Sequence, residues 1–215
     1  MSYTLAGIRN RVLIDKLDDE DFEPSVVDNF INDAQRDIFS EYTLPFTEKI
    51  FIGSLPASTT MFEFPSDVST LQAMIVTDGE GRSLDIKNNF MSFSEFNKHY
   101  PAPGNNEAGI LNKWTLYGGK MIASRPIPAD CTLTIYYNKV PKTLASDTDV
   151  PEVPEEFEEA LVLGAFYRVQ LREGDSDEAL LTKSEYQRKI EQMVERLGFR
   201  MNAGPIRMKN RQVGR

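Results

Sequence analysis

The residues able to do chemistry in this chain are few and far apart. His99 is the sole histidine and Cys131 the sole cysteine. A Ser–His–Asp triad would have to be built around His99, yet the sequence contains neither a Gly-x-Ser-x-Gly elbow nor a cysteine in a nucleophile context. His99 stands between Lys98 and Tyr100, at the end of a short predicted helix, where an imidazole interacts with terminal carbonyls. Zinc needs several Cys and His ligands at close spacing, which one of each does not supply. No phosphate loop and no dinucleotide glycine fingerprint is present. Cys131 lies in an alternating strand pattern and is expected to be a buried, inert thiol, and one cysteine permits no intrachain disulfide.

Carboxylates are the abundant reactive type. Asp18-Asp19-Glu20-Asp21, or Asp147 with Asp149, could hold a divalent metal and support a phosphoesterase. The first run lacks the glycine and terminal glutamate of a calcium loop, and acids in loops are usually solvated turns. A metal-dependent nuclease needs acids converging from separate elements, which spacing alone leaves open. Phe62, Phe64, Trp114, Tyr117, Tyr136 and Tyr137 could stack single-stranded bases, but only Lys113, Lys120, Arg125 and Lys139 accompany them. The core is therefore their expected place. The chain is expected not to be an enzyme and to need no cofactor or metal.

Charge is the more informative signal. The net charge is -9, but residues 198–215 hold Arg200, Arg207, Lys209, Arg211 and Arg215 and no acid. That tail carries +5, leaving -14 on the body. The body repels nucleic acid at long range, while the tail seeks an acidic surface. The tail reads either as a solubilising end or as an arm that orders on a partner. In the second reading Arg200, Arg207, Lys209 and Arg211 steer it, and Ile206 and Met208 anchor it. No apolar run approaches the roughly 20 residues of a membrane span. No basic segment followed by an apolar stretch opens the chain, so synthesis and use in a cytoplasm are expected.

The elements that would carry these residues follow from periodicity. Leu5, Ile8, Val12, Leu13 and Leu17 predict a first helix, capped by Thr4 or Ser2. A second starts near Pro24, with Ser25 and Asp28 resembling a capping box. Its stripe is Val27, Phe30, Ile31, Ala34, Ile38 and Tyr42, and Asp33 and Gln35 fall on the other face. From about residue 47 the period changes to two, which predicts short strands at 50–52, 61–64, 71–77, 114–117, 120–123 and 132–137. Ser92 or Ser94 caps a short helix to Tyr100, and Gly118-Gly119 suits a tight hairpin turn. Helix returns near Pro154, with Glu155 and Glu156 at its positive end and Phe157, Ala160, Leu161, Ala165, Val169 and Leu171 on its face. After a break at 173–177, a last helix runs from about Glu178 to Leu197 through Leu181, Tyr186, Ile190, Met193 and Val194, with Gly198 as its stop.

The fold class is therefore α+β: a helical bundle from N- and C-terminal helices, an inserted β-rich domain and an extended arm. The expected limits are 1–46, 47–141, 142–197 and 198–215. Phe30 with Ala34 and Ile38 is expected to meet Phe157, Leu161 and Ala165, because a helix with one apolar face must bury it.

This layout resembles the head-to-tail adaptor, or head completion, proteins of tailed bacteriophages. The resemblance begins at residues 4–12 and continues at 30–38. It is strongest at Asp147-Thr148-Asp149-Val150-Pro151-Glu152-Val153-Pro154 and the helix start through Leu161. It implies a structural virion protein at the neck, assembled in the host cytoplasm as a dodecameric ring beneath the portal protein. It further implies a C-terminal arm on the portal, a tail or nozzle protein below, and genomic DNA passing through the lumen without sequence-specific binding. A tail completion or tube protein of the same particle, and a metal-dependent phosphoesterase, are the alternatives. Helical ends and a basic arm favour the adaptor over a tube built mostly of strands.

Overall fold

A computed structural model describes residues 3–17 and 22–202, the last four by backbone alone. The chain folds as α+β and divides into two compact units, residues 1–46 with 141–215, and residues 47–140.

The first unit is helical. Helix α1 spans Leu5–Asn10, and Thr4 caps it by accepting a hydrogen bond from the Gly7 N–H. The helical run expected to Leu17 is present without a gap but changes type: Arg11–Leu17 is a wider π-helical segment. It still buries Val12 and Leu13 but leaves Ile14 exposed. Helix α2 covers Pro24–Glu41 with Pro24 in its first turn. The expected Ser25–Asp28 capping box does not form. Glu23 holds the cap position without a side-chain bond, and the Asp28 carboxylate is taken by Arg9.

Helix α4 covers Glu158–Glu173, after a single 3-10 turn at Glu155–Phe157. It ends on Gly174 at φ 94°, a left-handed cap that glycine adopts without steric cost. Helix α5 covers Ser176–Asn202. Gly198 is therefore not a stop. A glycine ends a helix by turning left-handed, and in its absence the residue merely costs about 1 kcal/mol relative to alanine inside the helix. Val27, Ile31, Ala34 and Ile38 of α2 share a core with Leu161, Ala165 and Val169 of α4 and with Tyr186, Ile190, Met193 and Leu197 of α5. A side chain at Gly164 would bring its Cβ within 2.7 Å of Ala34 Cβ and 2.9 Å of Tyr186 Cε2, so glycine is what permits this approach. Leu171 and Leu181, expected on the buried faces, are 51% and 71% exposed. They lie on either side of the Gly174 turn that joins the two helices.

The second unit contains two antiparallel sheets. The strands are β1 Glu48–Leu55, β2 Met61–Glu63, β3 Val68–Thr77, β4 Ser83–Asp85, β5 Trp114–Tyr117, β6 Lys120–Ala123 and β7 Cys131–Lys139. Sheet order is β1-β7-β3-β4 in one and β2-β6-β5 in the other. β5 and β6 join through Gly118 and Gly119 at φ 61° and 75°, the positive values a two-residue hairpin demands. Leu133, Ile135, Tyr137, Met74, Val76 and Leu55 of the first sheet enclose a core with Phe62, Trp114 and Met121 of the second. Helix α3, Phe93–His99, is capped by Ser92, which accepts from the Glu95 N–H, and packs on β5. The aromatics divide. Phe62, Trp114 and Tyr137 are buried as expected, but Tyr117 and Tyr136 are 60% and 39% exposed. Cys131, expected to be buried, is only partly so, because it opens β7 at the sheet margin. Burial and nearby Asp78 and Asp130 raise its thiol above the usual range.

Candidate functional site

The strongest sequence signature, residues 147–161, runs from a connector that both α1 and α2 bind into the first turn of α4. Asn32 and Gln35 reach out of α2 to do this. Asn32 Nδ2 donates to the Leu144 carbonyl at 3.0 Å, and its Oδ1 accepts the Leu144 N–H at 2.8 Å. Gln35 Nε2 donates to the Lys142 carbonyl at 3.1 Å, and its Oε1 accepts the Glu152 N–H at 2.9 Å. Each amide thus pairs with an extended backbone as another strand would. Both residues are buried, at 4% and 1% exposed, so Gln35 does not belong to an outer face. One turn of helix separates them, and that places both on the side facing the connector.

The connector in turn caps α1. The N–H groups of Leu5 and Ala6, which have no partner inside a helix, donate to the carbonyls of Asp149 at 2.8 Å and Asp147 at 3.2 Å. Arg9 forks onto Asp28 at 2.7 and 2.9 Å and reaches Asp147 at 2.7 Å. The Tyr3 hydroxyl donates to the Val153 carbonyl. Burial, with help from Glu158 and Glu155, raises the Tyr3 phenol well above its ordinary value.

Asp147 and Asp149, the described pair of candidate metal-binding acids, take part in the same arrangement. The Asp149 carboxylate accepts the N–H groups of Ser146 and Ala145 at 2.9 and 2.8 Å and faces Lys142 at 3.4 Å. Those backbone bonds hold it below the usual carboxylate range. Arg11 meets Glu158 at 3.0 Å and Glu159 at 2.5 Å, and Lys16 meets Glu159 at 3.2 Å. Burial alone would raise Glu159, but Lys16 and Arg11 outweigh it and lower the carboxyl. Arg168 bridges the Gly164 carbonyl and Asp37. Among the described residues no cluster of His, Cys, Asp or Glu is arranged to hold a metal. The arrangement positions helices.

The remaining sequence expectations fall elsewhere. Arg200 lies on the last turn of α5. Ile206, Arg207, Met208, Lys209 and Arg211 lie outside the described residues, as do Asp18, Asp19, Glu20 and Asp21. His99 is exposed at the end of α3. No described helix is long and apolar enough to cross a membrane. Asn32 and Gln35 were the residues that periodicity missed. Their signal was two amides three residues apart, next to a continuous apolar stripe.

A profile of the family described as SU10 adaptor protein matches residues 3–209. No curated protein matches the chain.

Proposed function

Because this chain belongs to the SU10 adaptor protein family, a family of phage structural proteins, we propose that it is the head-to-tail adaptor of the virion. The single observation carrying the reading is that match, which extends over nearly the whole chain and into the basic C-terminal segment. In this reading copies of the chain form a ring, a dodecamer by resemblance, beneath the portal protein. The ring extends the DNA channel and presents an attachment site to a tail or nozzle protein below.

Charge supports the assignment of parts. Residues 1–46 and 141–197 hold eleven Lys and Arg against twenty-four Asp and Glu, a net of -13. A channel walled by such units neutralises no phosphates, so DNA slides past it without counterion release. The opposite charge is confined to the segment after Leu197, where Arg200, Arg207, Lys209 and Arg211 seek an acidic protein surface and Ile206 and Met208 anchor there.

The test is co-sedimentation with purified portal. Deleting residues 203–215, which leaves α5 whole, is expected to abolish binding, with Arg207→Glu and Lys209→Glu weakening it. Unchanged binding of the deletion variant would refute the arm. Image classes of the purified protein or of virions that show no ring would refute the adaptor reading itself.

A further inference from the structure

Two exposed apolar patches lie on opposite sides of the β unit. The first is the outer face of the larger sheet. In β1, Phe51 and Leu55 turn toward the core, so Ile50 and Ile52 turn away from it. Ile50 stands opposite Tyr136, and Ile52 stands opposite Thr134, whose other neighbour is Ile75. Ile50 is 57% and Ile52 69% exposed. The second patch lies beyond the smaller sheet. Trp114 of β5 turns to the core, whereas Tyr117 turns to the α3 side and stacks on Phe93 at 4.1 Å between ring centroids and 18° between planes. Phe90, half exposed, packs instead on Trp114, with ring centroids 5.1 Å apart, and is not part of this surface. Two rings already held together form a flat contact that loses little side-chain entropy when covered.

The occupant follows from charge. Residues 47–140 hold eight Lys and Arg against nine Asp and Glu, a net of -1, against -13 for the helical unit without its tail. Copies of one chain repel through their helical units, and the near-neutral β unit is where they can meet without that penalty. A foreign partner of so acidic a chain would be selected by opposite charge, which neither patch displays. Like patches joined face to face close a dimer, whereas unlike patches on opposite sides of one unit propagate and, with the right rotation, close a ring.

We propose that the β unit is the head-to-tail contact between neighbouring copies, with the Ile50, Ile52 and Tyr136 face of one seated on the Phe93–Tyr117 pair of the next. This rests on the ring reading above and names the surface through which the ring closes. Each patch is incomplete alone and is completed by a second copy.

The test uses full-length chains and native mass spectrometry, with and without portal. Ile52→Lys and Tyr117→Lys are each expected to shift the wild-type ring to monomer, with the thermal melt of the isolated chain unchanged for Ile52→Lys and slightly lowered for Tyr117→Lys, which loses its stacking on Phe93. A second measurement guards against misfolding. In a Cys131→Ser background, Ile52→Cys chains mixed with Tyr117→Cys chains and treated with diamide are expected to give a crosslinked dimer. Either chain alone is expected to give none. A wild-type chain that never assembles, even on portal, overturns the ring reading and this proposal with it. A wild-type ring that survives both lysine variants leaves the ring standing and overturns this surface alone. So do Ile52→Cys chains that crosslink to themselves, and lysine variants that keep the ring but lose portal binding.

Discussion

Replacing Asn32 with Ala removes one side chain from α2 and unfastens the connector opposite it. Asn32 makes two bonds to Leu144, one to each backbone polar group, and Leu144 is itself only 3% exposed. The variant therefore leaves a buried N–H and a buried C=O without partners. Each such group costs about 1–3 kcal/mol. The third bond, to the Asp28 carbonyl at 2.9 Å, matters less because that carbonyl remains within the helix. A loss of roughly 2–6 kcal/mol is expected, which for a chain of this size lowers Tm by about 4–24 °C. Far-UV circular dichroism on heating would follow the helical unit. Asp33→Ala, one residue along, is the control. Its carboxylate and the Arg36 it pairs with are 44% and 52% exposed, and such surface pairs contribute about 0–1 kcal/mol. If Asn32→Ala melts with Asp33→Ala, the connector is not held by this amide and the clasp is wrong.

Leu161→Ala, at a fully buried position in the helical core, should cost about 2–5 kcal/mol, read as a lower denaturant midpoint. Gly164→Ala should also destabilise, by about 1–3 kcal/mol, because its Cβ would meet Ala34 Cβ at 2.7 Å, and Ala34→Gly in the same chain should recover part of the loss. Asp149 and Glu159 both sit below their ordinary values when folded. The folded state then binds fewer protons than the unfolded one, so the stability they contribute is complete above the unfolded carboxylate range and lost as pH falls from there through the lower folded values. Tm should therefore drop on acidification from about pH 5 to 3, and Asp149→Asn should flatten that drop.

Much of this fold was legible because its signals are local. The stripe of α2, the proline and acids before α4, the Ser92 cap and the Gly118-Gly119 turn each act within a few residues. What escaped depends on partners distant in sequence. Asp28 looked like a capping residue because Ser25 precedes it by three, but Arg9, nineteen residues away, takes its carboxylate. Gln35 looked like a surface residue because it is polar, but its partners are 107 and 117 residues away. Tyr117 and Tyr136 were placed in the core by type, since alternation tells which residues share a face but not which face is covered. The change from α to π helix at Arg11 also left no local mark.

The acidic signature at 147–159 shows why residue type alone misleads about chemistry. Asp149 is held by two backbone N–H groups, Asp147 by Arg9, and Glu158 and Glu159 by Arg11 and Lys16. Each bond joins the connector or the start of α4 to itself or to an N-terminal element, so the acids fasten the two halves of a helical unit that the β insertion separates in sequence.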